Sequence, residues 1–201
     1  PIRQFIRDRE TWRERLVTLD KTDALSFVAS PPRPINQEPP ARLTKIQNGE
    51  IIEVSPCSNS LAKALTNRLR NNGGVALIID YGHDAYVAGE TLQAVRRHAY
   101  VSVLDAPGET DLTAHVNFAE LAKAVKSVGG ATYGPVTQKY FLMALGIEAR
   151  AKRLCEQASP HQRADIKNAF ERLTAPENMG HLFKVMAIGV PGELPPPGFE
   201  H

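Results

Sequence analysis

Residues 73 to 83 read Gly-Gly-Val-Ala-Leu-Ile-Ile-Asp-Tyr-Gly-His. Val75 to Ile79 is a continuous aliphatic run between a glycine pair and Asp80-Tyr81-Gly82, and it has no polar face. That pattern predicts a strand buried on both sides, as in parallel sheets. Upstream, Ser55-Pro56 supplies a helix cap followed by proline at the first helical position. Leu61, Leu65 and Leu69 recur every four residues, which predicts the buried stripe of that helix. Asn71-Asn72-Gly73-Gly74 stops it, because glycine accepts the left-handed conformation at a helix end. Before the helix, Ile51 to Val54 is a short apolar strand. The alternation of helix and strand predicts an α/β fold.

The pattern recurs downstream. Asn117, with Glu120 three positions on, predicts a capped helix whose inner face holds Phe118, Leu121, Ala122 and Val125. Gly129-Gly130 ends it. Ala131 to Thr137 is extended but interrupted by Gly134-Pro135, so it reads as an edge or bulged strand. Residues 138–145 and 147–158 read as helices. Ser159-Pro160 starts another, carrying Ile166, Phe170 and Leu173. Leu182 to Val190 is the last strand. At the other end, 10–28 reads as an antiparallel hairpin with mixed faces, turning at Lys21-Thr22-Asp23 and projecting from the main sheet. Five prolines within 31–40 predict a loop, and four at 191–197 an extended tail. The expected organisation is a peripheral hairpin and proline-rich loop over 1–50, an α/β domain over 51–190 and a tail over 191–201.

Composition narrows the function. The chain has 201 residues, 42% hydrophobic and 23% charged, ordinary for a globular protein. A net charge of +2 gives no case for a nucleic-acid partner. No apolar run approaches the ~20 residues of a membrane helix. Cys57 and Cys155 form no metal or disulfide framework and read as reduced thiols of a cytoplasmic-type protein. GxGxxG, P-loop, GxSxG and HExxH motifs are absent from the sequence, and no metal is suggested. Pro1 stands where a translated chain would begin with Met.

The candidate chemistry sits near strand ends, where open α/β sheets bind ligands. Asp80 is an acid there, Tyr81 an amphipathic wall, and Gly82 a place where another backbone can pass close. The competing reading is that Asp80 caps a neighbouring element and Gly82 only turns the chain. Glu53 either grips a cationic group or compensates a helix dipole. Asp111, Thr113 and His115 share one side of an extended segment. His115 is the general-base candidate by its intrinsic pKa, against a purely structural role. Asp80, Tyr81, Asp111, Thr113 and His115 are expected to converge on one cleft.

Seven stretches together resemble a known family: PIRQFIRDRETWRERLV from Pro1, IIEVSP from Ile51, GGVALIIDYGHD from Gly73, TLQAVRRHAYV from Thr91, PGETDLTAHVNFAELA from Pro107, GPVTQKYFLMALGIEAR from Gly134 and MGHLFKVMAI from Met179. In order and along the whole chain they resemble the MidA family of S-adenosylmethionine-dependent methyltransferases, whose mitochondrial members assist respiratory complex I assembly. Asn117 stands where the family often has Asp. The resemblance implies the C-terminal part of a Rossmann-like seven-stranded methyltransferase sheet, with a peripheral β-hairpin and added helices. The last three strands would be Val75 to Ile79, Ala131 to Thr137 and Leu182 to Val190, and the first of them would show an open edge.

The same resemblance implies methyl transfer from S-adenosylmethionine to a protein arginine. Glu53, Asp80, Asp111 and His115 are then the catalytic candidates, and Tyr81, Gly82 and Thr113 the substrate-binding ones. The cofactor cradle is expected N-terminal to Pro1, so the chain alone is expected neither to bind S-adenosylmethionine nor to transfer methyl groups. Implied partners are a protein substrate such as a complex I subunit and, as an option, a second copy. The implied location is the bacterial cytoplasm or the mitochondrial matrix. The alternative is a non-catalytic interaction module.

Overall fold

The computed structural model describes residues 2–32, 46–85 and 88–200. It divides into two compact units, each discontinuous in sequence: Pro1–Ser58 with Tyr86–His115, and Asn59–Ala85 with Val116–His201. Most of the proline-rich 31–40 segment lies outside the described residues.

The first unit is built on a four-stranded antiparallel sheet of β1 (Arg3–Asp8), β2 (Thr11–Leu19), β3 (Leu25–Ala29) and β4 (Ile51–Val54), in the order β3-β2-β1-β4. The expected hairpin is β2–β3. Asp20 shapes its turn by accepting the Thr22 and Ala24 amides and the Thr22 hydroxyl, which lowers its pKa. Ile51–Val54, expected in the α/β sheet, instead pairs antiparallel with β1. The alternation hidden in the mixed faces resolves across strands. On one face Phe5, Trp12 and Ile52 are buried together. Arg3 lies over the Phe5 ring and Arg7 over the Trp12 ring. On the other face Glu53, Gln4 and Arg15 stand in register as a polar row. A second sheet has the order β7-β6-β8, from β6 (Gln93–Arg96), β7 (Ala99–Val101) and β8 (Asp111–Thr113).

The second unit's sheet has the order β10-β11-β5-β9, from β5 (Ala76–His83), β9 (Val116–Asn117), β10 (Ala131–Thr137) and β11 (Phe183–Gly189). β11 runs antiparallel to both β10 and β5, so the last strand in sequence is inserted between the other two. β10 is an edge strand whose register shifts between Tyr133 and Val136, as Gly134-Pro135 foretold.

The strand buried on both faces is β11, and this corrects the expectation for Val75 to Ile79. Val185, Met186, Ala187 and Ile188 are all fully buried. Met186 and Ile188 pack with Phe118, Leu121 and Val125 of α2 (Phe118–Ser127) and Ala62 of α1 (Pro56–Asn72). Val185 and Ala187 pack on the opposite face with Phe141 and Phe199, the latter from the C-terminal tail. By contrast, Val75 just before β5 and Leu77 and Ile79 within it are nearly half exposed, and only Ala76 and Ile78 join the core. The helices of the core cover β5 only on the side of Ala76 and Ile78. Its second ladder partner, the parallel β9, reaches only Gly82 and His83, so among the described residues the expected open edge is present.

Helix α1 corrects a second expectation. Its buried positions are Ala62 and Thr66, and Leu61 is 61% exposed. The small side chains let the helix approach the sheet, and the Thr66 hydroxyl is satisfied by donating to the Ala62 carbonyl. The Asn117 cap on α2 accepts the Glu120 amide as expected. Three further helices follow, α3 (Gln138–Ala144), α4 (Ile147–Glu156) and α5 (Pro160–Thr174), the last opened by a complete capping box at Ser159.

Candidate functional site

The densest polar constellation lies in the first unit and centres on Glu53. Its carboxylate accepts four donors. Gln4 Nε2 reaches Oε1 at 2.8 Å, as do the amides of Thr91 at 3.0 Å and Leu92 at 3.1 Å. The Thr91 hydroxyl donates to Oε2. That hydroxyl in turn accepts the backbone N–H of His115 at 2.9 Å. Gln4 is 95% buried in effect, with 5% of its surface exposed, and its carbonyl oxygen accepts from Arg15 at 3.2 Å. Arg15 also pairs with Glu90 and lies 3.6 Å above the Phe27 ring. One network therefore runs from the hairpin to the segment around His115.

The arrangement explains itself locally. Register places Gln4 beside Glu53 and beside Arg15 on adjacent strands. A half-buried carboxylate is tolerated because hydrogen-bond donors surround it. Sequence reading singled out Glu53 but missed its function as an acceptor hub. Thr91, Gln4 and Glu90 were missed entirely. The one available signal was a glutamine and two arginines on strands that otherwise carried core residues.

Asp111 and Thr113 lie on β8, in register with Val95 and Gln93. Asp111 is exposed. Thr113 and His115 are half-buried.

In the second unit, β5 continues to His83, so Asp80 lies inside the strand instead of beyond it. Its carboxylate accepts the Tyr81 amide at 2.9 Å. Successive strand residues face opposite sides, so Asp80 shares the side of Ala76 and Ile78 while Tyr81 shares that of Leu77 and Ile79. The Tyr81 ring meets Phe183 edge-on, with centroids 5.4 Å apart. Gly82 does let a backbone pass close: a Cβ there would fall 2.2 Å from the Val116 carbonyl oxygen. An apolar cavity of about 380 Å³ lies elsewhere in this unit, lined by residues such as Leu142, Leu154 and Phe170, and none of the expected site residues borders it. The expected residues thus fall into two groups: Glu53, Asp111, Thr113 and His115 in the first unit, and Asp80, Tyr81 and Gly82 in the second.

Among the described residues no cluster of three His, Cys, Asp or Glu side chains is placed to hold a metal. No helix among them is long and apolar enough to cross a membrane. At the carboxyl end of β5, the space beside Gly82 is filled by the Val116 backbone.

A reversed strand lies between two parallel ones, with helices against the sheet. Residues 1–136 match the family described as "Putative S-adenosyl-L-methionine-dependent methyltransferase". The chain belongs to that family. It is 35% identical over 193 residues to the zebrafish (Danio rerio) protein named "Protein arginine methyltransferase NDUFAF7, mitochondrial", covering 94% of this chain and 44% of that protein. Two crystal structures of superfamily members from Burkholderia thailandensis superpose on the whole chain. One has a TM-score of 0.82 at 28% identity, with 53% of its own chain covered. The other, bound to S-adenosyl-homocysteine, has a TM-score of 0.81 at 27% identity, with 51% covered. The chain thus spans about half the length of the proteins it matches.

Proposed function

We propose that this chain serves in methyl transfer from S-adenosylmethionine to a protein arginine. The observation that carries the reading is the 35% identity over 193 residues to a protein named for that activity. The three-strand arrangement of β10, β11 and β5 agrees with it. A guanidinium is planar and cationic, and a carboxylate that binds it through two parallel hydrogen bonds also fixes where its nitrogens point. Positioning of that kind supplies much of the rate in a displacement reaction.

The expected roles divide by hydrogen-bond capacity. Glu53 already receives four donors, so we assign it an anchoring role in place of the direct grip expected from sequence. Asp111 is exposed and free to take a guanidinium, with Thr113 on the same side of β8. His115 is the group to accept the proton that leaves the methylated nitrogen. Asp80 and Tyr81 keep the proposed roles of acid and wall. Gly82 acts through close packing.

The proposal extends to target, location and assembly. These are a complex I subunit, a mitochondrial matrix or bacterial cytoplasmic location, and a homo-oligomeric state.

The test is transfer of radiolabelled methyl from S-adenosylmethionine to arginine peptides, with the modified residue identified by mass spectrometry. It compares this chain alone with the chain joined to the remaining length of its relatives. Methylarginine formed by the longer protein, with no donor binding by the chain alone in calorimetry, is the expected result. Donor binding and full activity by the chain alone would overturn the division of labour. No methylarginine from either would favour the interaction-module reading.

A further inference from the structure

We infer that Thr91 is a positioning residue for the proposed reaction; the inference rests on the reading of His115 and Asp111 given above. Thr91 is an inconspicuous residue in sequence, yet its hydroxyl works in both directions. It donates to Glu53 Oε2 and accepts the His115 amide at 2.9 Å, while the Thr91 amide itself donates to Glu53 Oε1 at 3.0 Å. A threonine hydroxyl has a single proton to give, so the Glu53 bond leaves only its lone pairs for His115, and an amide is the partner that suits them.

The three residues joined in this way come from distant parts of the sequence. Glu53 precedes Thr91 by 38 residues, and His115 follows it by 24. They also share a topological property. The chain passes out of the first unit after Ser58, returns at Tyr86, and leaves again after His115. Glu53 lies shortly before the first passage, Thr91 shortly after the second, and His115 immediately at the third. One hydroxyl therefore ties together, on the first unit's side, all three stretches at which the chain enters or leaves it.

The tie has a firm base. Glu53 is held from behind by Gln4, whose side chain is almost completely buried and is itself fixed by Arg15. Fixing the His115 amide sets the end of the segment that begins with Asp111 and Thr113 on β8. Valine has the shape of threonine without the hydroxyl. It would leave Glu53 one donor short and the His115 N–H without its acceptor, whereas serine keeps both bonds.

The experiment compares Thr91→Val and Thr91→Ser with the wild type in two measurements. In the chain itself, residue-resolved amide hydrogen exchange should show His115 exchanging at least about tenfold faster in Thr91→Val, since a lost hydrogen bond of ordinary strength is worth about that factor. The Phe5 and Ile52 amides should keep their protection, and Thr91→Ser should match the wild type. In the longer protein, KM for an arginine peptide should rise about tenfold in Thr91→Val and return to within about twofold in Thr91→Ser. A mere loss of folded enzyme would lower kcat and leave KM unchanged. If Thr91→Val fails to fold, Glu53→Gln takes its place, because it turns one acceptor into a donor facing donors and should give the same signature.

Unchanged exchange at His115, an unchanged KM, or Thr91→Ser as impaired as Thr91→Val would each overturn the inference. A wild type that transfers no methyl group overturns the functional reading instead. The exchange measurement separates the two, because it needs no activity.

Discussion

Replacing Gly82 with alanine tests the close approach of β5 and β9. The new Cβ would lie 2.2 Å from the Val116 carbonyl oxygen and 2.9 Å from a ring carbon of Phe118. Comfortable contacts between heavy atoms lie at about 3.5–4.0 Å, so the two backbones must part by roughly 1 Å or more. Little can absorb that movement. The pairing consists of Gly82 with Val116 and His83 with Asn117, and Phe118 is fully buried at the centre of the core. Overpacking of this severity should cost about 3 kcal/mol, the upper end of the usual range. For a chain of this size that lowers Tm by about 6–12 °C. The assay is thermal unfolding followed by circular dichroism or calorimetry. The control is Gly146→Ala, where φ is +81° and no atom lies within 4 Å of the added Cβ. That variant bears only the left-handed backbone penalty of about 1 kcal/mol, a drop of about 2–4 °C. A Gly82→Ala protein that melts within about 2 °C of the wild type, or above Gly146→Ala, would show that the reasoning from steric contact is wrong.

Two further outcomes are expected. Ile188→Ala, in the fully buried strand β11, should destabilise the chain by about 2–5 kcal/mol in chemical denaturation; Leu77→Ala, at a half-exposed position of β5, should cost under about 1 kcal/mol, and the reverse order would contradict the assignment of the central strand. Hydrogen bonds from Thr22 and Ala24 depress the Asp20 pKa, so its contribution to the hairpin turn is present above the unfolded value of about 3.9 and is lost as pH falls through the lower folded one. Protection of the Thr22 and Ala24 amides, taken relative to the intrinsic exchange rate at each pH, should therefore fall on acidification, and Asp20→Asn should flatten that dependence.

What could be read from sequence was what depends on neighbours in sequence. Ser159-Pro160, Asn117 with Glu120 and the Gly73-Gly74 stop are local devices, and each marks a boundary that the structure keeps. Gly134-Pro135 marked an irregular edge strand for the same reason. Burial depends on what lies alongside, and there the reading failed. Val75 to Ile79 is more uniformly aliphatic than Phe183 to Gly189, which includes Lys184. Yet β11 lies between two strands with side chains packed on both faces, and β5 does not. Leu61 was misplaced similarly, because the helix turns its small residues inward for close approach. At the candidate site, Glu53 and His115 were visible as chemistry-bearing residues. Thr91, the group that joins them, was not, since a single threonine carries no periodicity and its partners are 38 and 24 residues away.

The threefold passage of the chain between units also sets an order of events during synthesis. The N-terminal sheet is not finished when its first three strands emerge from the ribosome. Gln4 must wait for Glu90, 86 residues later, and at ordinary elongation rates that interval is roughly 4–17 s. In that time α1 and β5, which belong to the other unit, have already been made. The central strand of that unit, β11, arrives almost last. Between the synthesis of β5 and that of β11 the second unit therefore holds a strand without its final neighbour, and Ala76 and Ile78 are among the side chains left uncovered. A nascent chain of this design needs protection for most of its length, and slowing translation would prolong that exposure before β11 arrives.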